Sequence, residues 1–174
     1  MNMYSLLLAK KLSGGGDSFG IGKLIDRTIV TANIPSGATR IGDGAFKGCD
    51  KLTSVTMPNT ITRIDSSAFL GCYALTSVTI PSSVTSIGIL SFGTCTSLQS
   101  VTFASPSQLN NIEAQAFMYD SHLQTIDIPS SVTRIGSSAF TGCTNLATIT
   151  INKAEGSISG APWGATNATV EWTG

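Results

Sequence analysis

Along Ser77-Val-Thr-Ile80, hydroxyl and apolar side chains alternate, the period-two pattern of a short strand with one face buried. A proline follows at position 81 and stops the ladder, since proline cannot donate to a central strand. A second extended piece comes next, Ser83-Val-Thr-Ser-Ile87. A third segment carries Ala-Phe-x-Gly-Cys, as in Ala68–Cys72, whose Phe and Cys are spaced for one tight turn of helix. This three-part unit recurs. Phe46, Phe69, Phe92, Phe117 and Phe140 are 23, 23, 25 and 23 residues apart, and Leu52, Leu75, Leu98, Leu123 and Leu146 keep the same intervals. Prolines 35, 58, 81, 106 and 129 close the first strands. A unit this small cannot bury its own apolar face, so successive units must stack into one continuous core. The prediction is a repeat solenoid with short strands and one tight helical turn per coil, about six coils over residues 28–151.

The fourth coil departs from the pattern twice. Ala104 and Ser105 are inserted before Pro106, and Tyr119-Asp120 stands where the other coils have Gly-Cys. The insertion is expected to bulge at the first-strand exit without breaking the stack. Outside the repeat, Tyr4, Leu7 and Leu8 are placed for a short helix over 1–12, which Gly14–Gly16 would uncouple from the rest. Residues 1–27 therefore read as an N-terminal appendage. After Ile151 the repeat is no longer visible, and 152–174 reads as a C-terminal cap in which Trp163 and Trp172 cover the end of the core. Ligand stacking is the alternative use of those tryptophans.

The repeat resembles the BspA-like leucine-rich repeat family. The resemblance is carried by Leu75-Thr-Ser-Val-Thr-Ile-Pro81, Ile87-Gly88 and Phe92-Gly-Thr-Cys95 and by their equivalents from about Ile29 to Ile151. It implies a right-handed leucine-rich-repeat superhelix with the first strands lining the concave side, and a role in surface attachment and protein binding. The two ends, SLLLAKKLSGGG and GAPWGATNATVEW, resemble those of repeat proteins encoded among tail genes of phages and prophages of gut bacteria.

Charged residues are only 11% of the 174, with ten Lys+Arg balancing ten Asp+Glu. That leaves no electrostatic footprint for nucleic acid or an anionic membrane, and no apolar run reaches membrane-spanning length. Leu6–Ala9, followed by Lys10 and Lys11, is too short for the apolar part of a secretion signal. Cys49, Cys72, Cys95 and Cys143 share one offset and are expected as a buried ladder of reduced thiols. A Cys49–Cys72 or Cys72–Cys95 bridge is the alternative, and zinc lacks a Cys-x-x-Cys. The sole histidine, His122, is read as a solvated loop residue, and the stretch SGGGDSFGIGK lacks phosphate-loop order. No catalytic, metal or cofactor site is expected.

The candidate binding face is the outward row of the first strands: Ser54, Thr56, Ser77, Thr79, Ser100, Thr102, Thr125, Asp127, Thr148 and Thr150, with Thr31 and Asn33 before them. Thr also suits exposed strand positions for structural reasons. An ice-binding ladder would need a flat surface, and this one should curve. As a recognition surface the row would meet the hydroxyls of a glycan or the polar groups of a protein. Arg40, Arg63 and Arg134 form a second, interrupted row that Asp43 and Asp65 are placed to offset; Asp65 and Glu113 themselves read as surface substitutions for glycine. The expected function is a non-enzymatic recognition module, virion-associated and attached to tail proteins or to itself through residues 1–16. A bacterial cell-surface adhesin and a passive spacer are the alternatives.

Overall fold

The computed structural model describes residues 18–19 and 27–174, so the helix expected over 1–12 lies outside the described residues. Each coil contributes two short strands to two parallel sheets. The first-strand set is β2 (Thr31–Asn33), β4 (Ser54–Thr56), β6 (Ser77–Ile80), β8 (Ser100–Phe103), β10 (Thr125–Ile128) and β12 (Thr148–Ile151). The second-strand set is β1 (Ser18–Phe19), β3 (Arg40–Ile41), β5 (Arg63–Ile64), β7 (Ser86–Ile87), β9 (Asn111–Ile112) and β11 (Arg134–Ile135). The second strands form one unbroken six-stranded sheet, β1-β3-β5-β7-β9-β11, which begins inside the segment set apart as an appendage. The first strands are divided into β2-β4, β6-β8 and β10-β12, the last extended by β13 (Thr169–Trp172). The architecture is a parallel β-solenoid of about six turns.

The inward ladders fill the space between the sheets. Ile41, Ile64, Ile87 and Ile112 on the second strands, and Leu52, Leu75, Leu98, Leu123 and Leu146, are fully buried or nearly so. The five repeat phenylalanines stack face to face with centroids 5.0, 5.1, 5.4 and 5.8 Å apart, close to the spacing that parallel strands impose. Proline ends each first strand by starting a turn: the N–H groups of Ile61, Val84 and Val132 donate to the carbonyls of Pro58, Pro81 and Pro129 at 3.1, 3.1 and 3.0 Å. In the fourth coil the insertion displaces this turn, and Leu109 N–H donates instead to Ser107 Oγ at 3.2 Å.

The tight helical turn expected in each coil is not formed; among the described residues there is no helix. The Ala-Phe segments are runs of turns, and the hydrogen bonds show why. Phe46, Phe69, Phe92 and Phe117 donate their N–H groups to Ala68, Ser91, Ala116 and Ala139 of the next coil at 2.7, 2.6, 2.9 and 2.9 Å. The flanking amides of Ala45 and Lys47 close turns onto Gly42 and Gly44 within the coil. Half of the segment's donors are thus drawn sideways, and an α-helix needs them all along its own axis. Two offsets per coil also take positive φ, for example Ser67 and Gly71 at 55° and 75°, which interrupts any helical run.

Beyond Ile151, where the repeat ceases to be visible, the stack continues for another strand. Strand β13 pairs in parallel with β12, Thr148 opposite Thr169 and Ile151 opposite Trp172. Trp163 is buried and lies edge-on to Phe140, centroids 6.5 Å apart at 70°. It stands 23 residues after Phe140, at the repeat interval, with an indole in place of the phenyl ring. Its Nε1–H donates to the Ser159 carbonyl at 2.8 Å, which satisfies the one polar group of a buried indole.

Candidate recognition face

Strand alternation places the row at outward positions. Ser54, Thr56, Ser77, Thr79, Ser100, Thr102, Thr125 and Asp127 are exposed, while Val78, Val101 and Ile126 between them are buried. Thr148 and Thr150 are half-buried, because β12 has a neighbour on each side. Cross-strand register sets Ser77 opposite Ser100, Thr79 opposite Thr102, and Asp127 opposite Thr150. The row extends further than the sequence showed. Thr169 and Glu171 of β13 lie opposite Thr148 and Thr150. Only the 23-residue spacing from Phe140 to Trp163 hinted at this.

The sheet that carries the row is not continuous. The sheet is interrupted between β4 and β6 and again between β8 and β10. Thr53, Gln99 and Ala147, just before their strands, donate N–H groups to Val30, Thr76 and Gln124 of the preceding coil at 2.8, 2.8 and 2.9 Å. Thr76 and Gln124 hold the same position at the two interruptions and make no such bond. Depressions open there. The one beside β4 and β6 is about 260 Å³, walled by Val55, Met57, Thr79 and Pro81. The one between β8 and β10, where the two-residue insertion falls, is about 440 Å³ and is lined by Thr102, Phe103, Ser105, Pro106, Asp127 and Ser130 among others. At the same junction the second-strand sheet keeps its pairing, Asn111 opposite Arg134 and Ile112 opposite Ile135.

On the second-strand side, Asp65 corrects the expectation of a surface residue. It is 8% exposed and lies between two guanidinium groups, its carboxylate oxygens 3.4 Å from Arg40 Nε and 3.5 Å from Arg63 Nε. Glu113, two coils on, pairs with Arg134 at 3.2 Å. Asp43 lies beside Arg40 and Arg63 without an ion pair to either among the described residues, and its Oδ1 accepts the Ser66 N–H at 2.9 Å. Two of the glycines that alternate with these acids, Gly88 and Gly136, are sterically required. A Cβ on Gly136 would lie 2.3 Å from the Ala114 nitrogen, and one on Gly88 would lie 2.7 Å from Asp65 backbone. A sequence row that looks like casual substitution is therefore a packed seam between coils.

All four cysteines are free and buried. The thiols of Cys72, Cys95 and Cys143 donate to the carbonyls of Phe46, Phe69 and Phe117 at 3.2, 3.2 and 3.0 Å. Burial pushes the Cys143 thiol up to about 12 and raises Cys95 as well. Asp120 takes the cysteine slot with no exposure to solvent; its Oδ1 accepts the Cys95 N–H at 2.8 Å and its Oδ2 has no partner. Burial holds this carboxyl well above the ordinary carboxylate range, with the Cys95 amide pulling weakly the other way. His122 is exposed, with Nδ1 against the Thr96 carbonyl. Among the described residues, no group of three His, Cys, Asp or Glu is placed to hold a metal ion, and no helix is long and apolar enough to cross a membrane.

Stacked parallel coils, a Leu and Phe core and a hydroxyl-bearing outer row define a leucine-rich-repeat solenoid. Six copies of the BspA type leucine rich repeat region match residues 26–147, and the chain belongs to that family. Among solved structures it is similar to a leucine rich cell surface protein from Faecalibacterium prausnitzii, at 34% identity and TM-score 0.53, over 71% of this chain and 39% of that one. It is also similar to the pneumococcal vaccine antigen PcpA, at 27% identity and TM-score 0.63, over 74% and 31% of the two chains. A leucine-rich repeat protein from Eubacterium ventriosum shares the fold at 20% identity and TM-score 0.60, over 84% and 44%. The chain thus spans between about three-tenths and less than half of the length of these structures. No curated protein matches it.

Proposed function

We propose that this chain is a non-enzymatic binding module of a bacterial cell-surface protein, and that the outward row of the first strands is its recognition face for a protein or glycan on another surface. The observation that carries this reading is the row itself: exposed Ser and Thr at every outward position from Ser54 to Thr125, with no charge before Asp127. Hydroxyls donate and accept, so they can match polar partners without the desolvation cost of charge. The cell-surface description of the Faecalibacterium prausnitzii protein supports the location. A virion location rests on the two chain ends alone, and residues 1–16, the proposed attachment to tail proteins, lie outside the described residues.

Shallow contact on a neutral face favours weak single-site binding that gains from several copies, with little dependence on salt. The test is a Thr79→Lys, Thr102→Lys double variant, compared with the unaltered chain for binding to immobilised bacterial and epithelial cells. The variant should fold normally, since both side chains are exposed, and binding should fall to background. Undiminished binding by the folded variant moves the site off this face.

A further inference from the structure

The depression at the β8–β10 interruption differs in chemistry from the rest of the row. Its rim carries the hydroxyls of Thr102, Ser105 and Ser130 and the carboxylate of Asp127, all exposed and none engaged in a hydrogen bond or ion pair among the described residues. Its walls include Phe103, half-buried, and two prolines, 106 and 129. At about 440 Å³ it falls within the usual size of small-molecule sites.

The lining narrows the choice of ligand. An anion would meet the Asp127 carboxylate. A hard cation needs six to eight oxygen ligands, usually with several carboxylates, and this site offers one. A purely apolar ligand would strand the rim hydroxyls. What fits is a molecule with several hydroxyl donors and acceptors on its edge and C–H groups on its faces.

We propose that this depression binds a neutral pyranose unit of a saccharide, with Asp127 accepting hydrogen bonds from adjacent sugar hydroxyls and Phe103 and the prolines lying against its C–H face. Thr102, Ser105 and Ser130 exchange hydrogen bonds with the remaining hydroxyls. The two-residue insertion sets this depression apart from the one beside β4 and β6, because it supplies Ser105 to the lining. The proposal rests on the recognition reading above and narrows it to one ligand class and one place.

The experiment is a titration of the ¹⁵N-labelled full chain with the methyl glycosides of glucose, galactose, mannose and N-acetylglucosamine. At least one should shift the amides of Thr102, Phe103, Ser105, Asp127 and Ser130 in a saturable way. Asp127→Ala should weaken that binding by about tenfold or more, the effect of losing a hydrogen bond to a charged acceptor. A chelator should change nothing. Shifts confined to Thr56 and Thr79, or loss of binding on adding chelator, overturn the site. So does the absence of saturable shifts with all four sugars. If Thr79→Lys abolishes cell binding while Asp127→Ala leaves it intact, the recognition face stands and the saccharide site falls.

Discussion

The two sheets are built from the same stacked coils, yet the second-strand sheet runs unbroken through six strands while the first-strand sheet is interrupted twice. The strands of the unbroken sheet are the shorter, two residues each against three or four. Strand length therefore does not decide continuity. The second strands lead directly into the Ala-Phe turns, whose sideways hydrogen bonds and stacked rings tie each coil to the next. The first strands exit through a proline turn of variable length, and the insertion at Ala104–Ser105 is absorbed there. One side of the solenoid keeps register; the other is free to open and to vary.

The largest expected effect comes from the tail, which adds a strand to the interrupted sheet and none to the other. Removing residues 152–174 strips Trp163 from Phe140 and β13 from β12. We expect this truncation to aggregate, as judged by light scattering and loss of a cooperative melt; a soluble, cooperatively folding product would show that the tail covers nothing the core needs. Next in size is a contrast between the sheets. Ile87→Ala, in the unbroken sheet and fully buried, should cost about 2–5 kcal/mol in chemical denaturation. Phe103→Ala, at the interrupted edge and already half-exposed, should cost clearly less despite removing more atoms. Equal losses would erase the distinction.

A smaller effect concerns Asp120. Its carboxyl is raised in the folded state, so its contribution is fully present below the unfolded carboxylate value and is lost as pH rises through the raised one. The Asp120 contribution to stability should thus fall on going from acid toward neutral and alkaline pH. Replacing Asp120 by Cys restores the repeat and should remove that fall, leaving an alkaline loss from the buried thiols, whose burial raises them. Urea midpoints across pH for the two proteins check this, and an unchanged slope in the variant would assign the effect elsewhere.

Much of this architecture is legible because each inward ladder uses one residue type at one offset. Phe46 to Phe140, and the leucines that follow them, announce the coil before any segment is interpreted. The turn geometry was not legible: Phe and Cys three apart fit a helical turn as well as the observed one, and what decides between them is hydrogen bonding to the next coil. Asp65 looked like a surface residue because its burial comes from two arginines, one in the preceding coil. Strand β13 was hidden because its register is 21 residues, Thr148 to Thr169, while Trp163 keeps 23 from Phe140. The outward row was readable in position but not in continuity, since regular spacing carries no information on whether adjacent strands pair.

Amide hydrogen exchange at four equivalent positions tests the account most directly. Gln99 and Ala147 donate to the preceding coil, Thr76 and Gln124 do not, and all four residues are exposed, so solvent access is matched. We predict that the Thr76 and Gln124 amides exchange in the native state through local fluctuation, orders of magnitude faster than those of Gln99 and Ala147. Four amides with the same protection would mean that the first-strand sheet is continuous, and the contrast between the two sides of the solenoid would be lost.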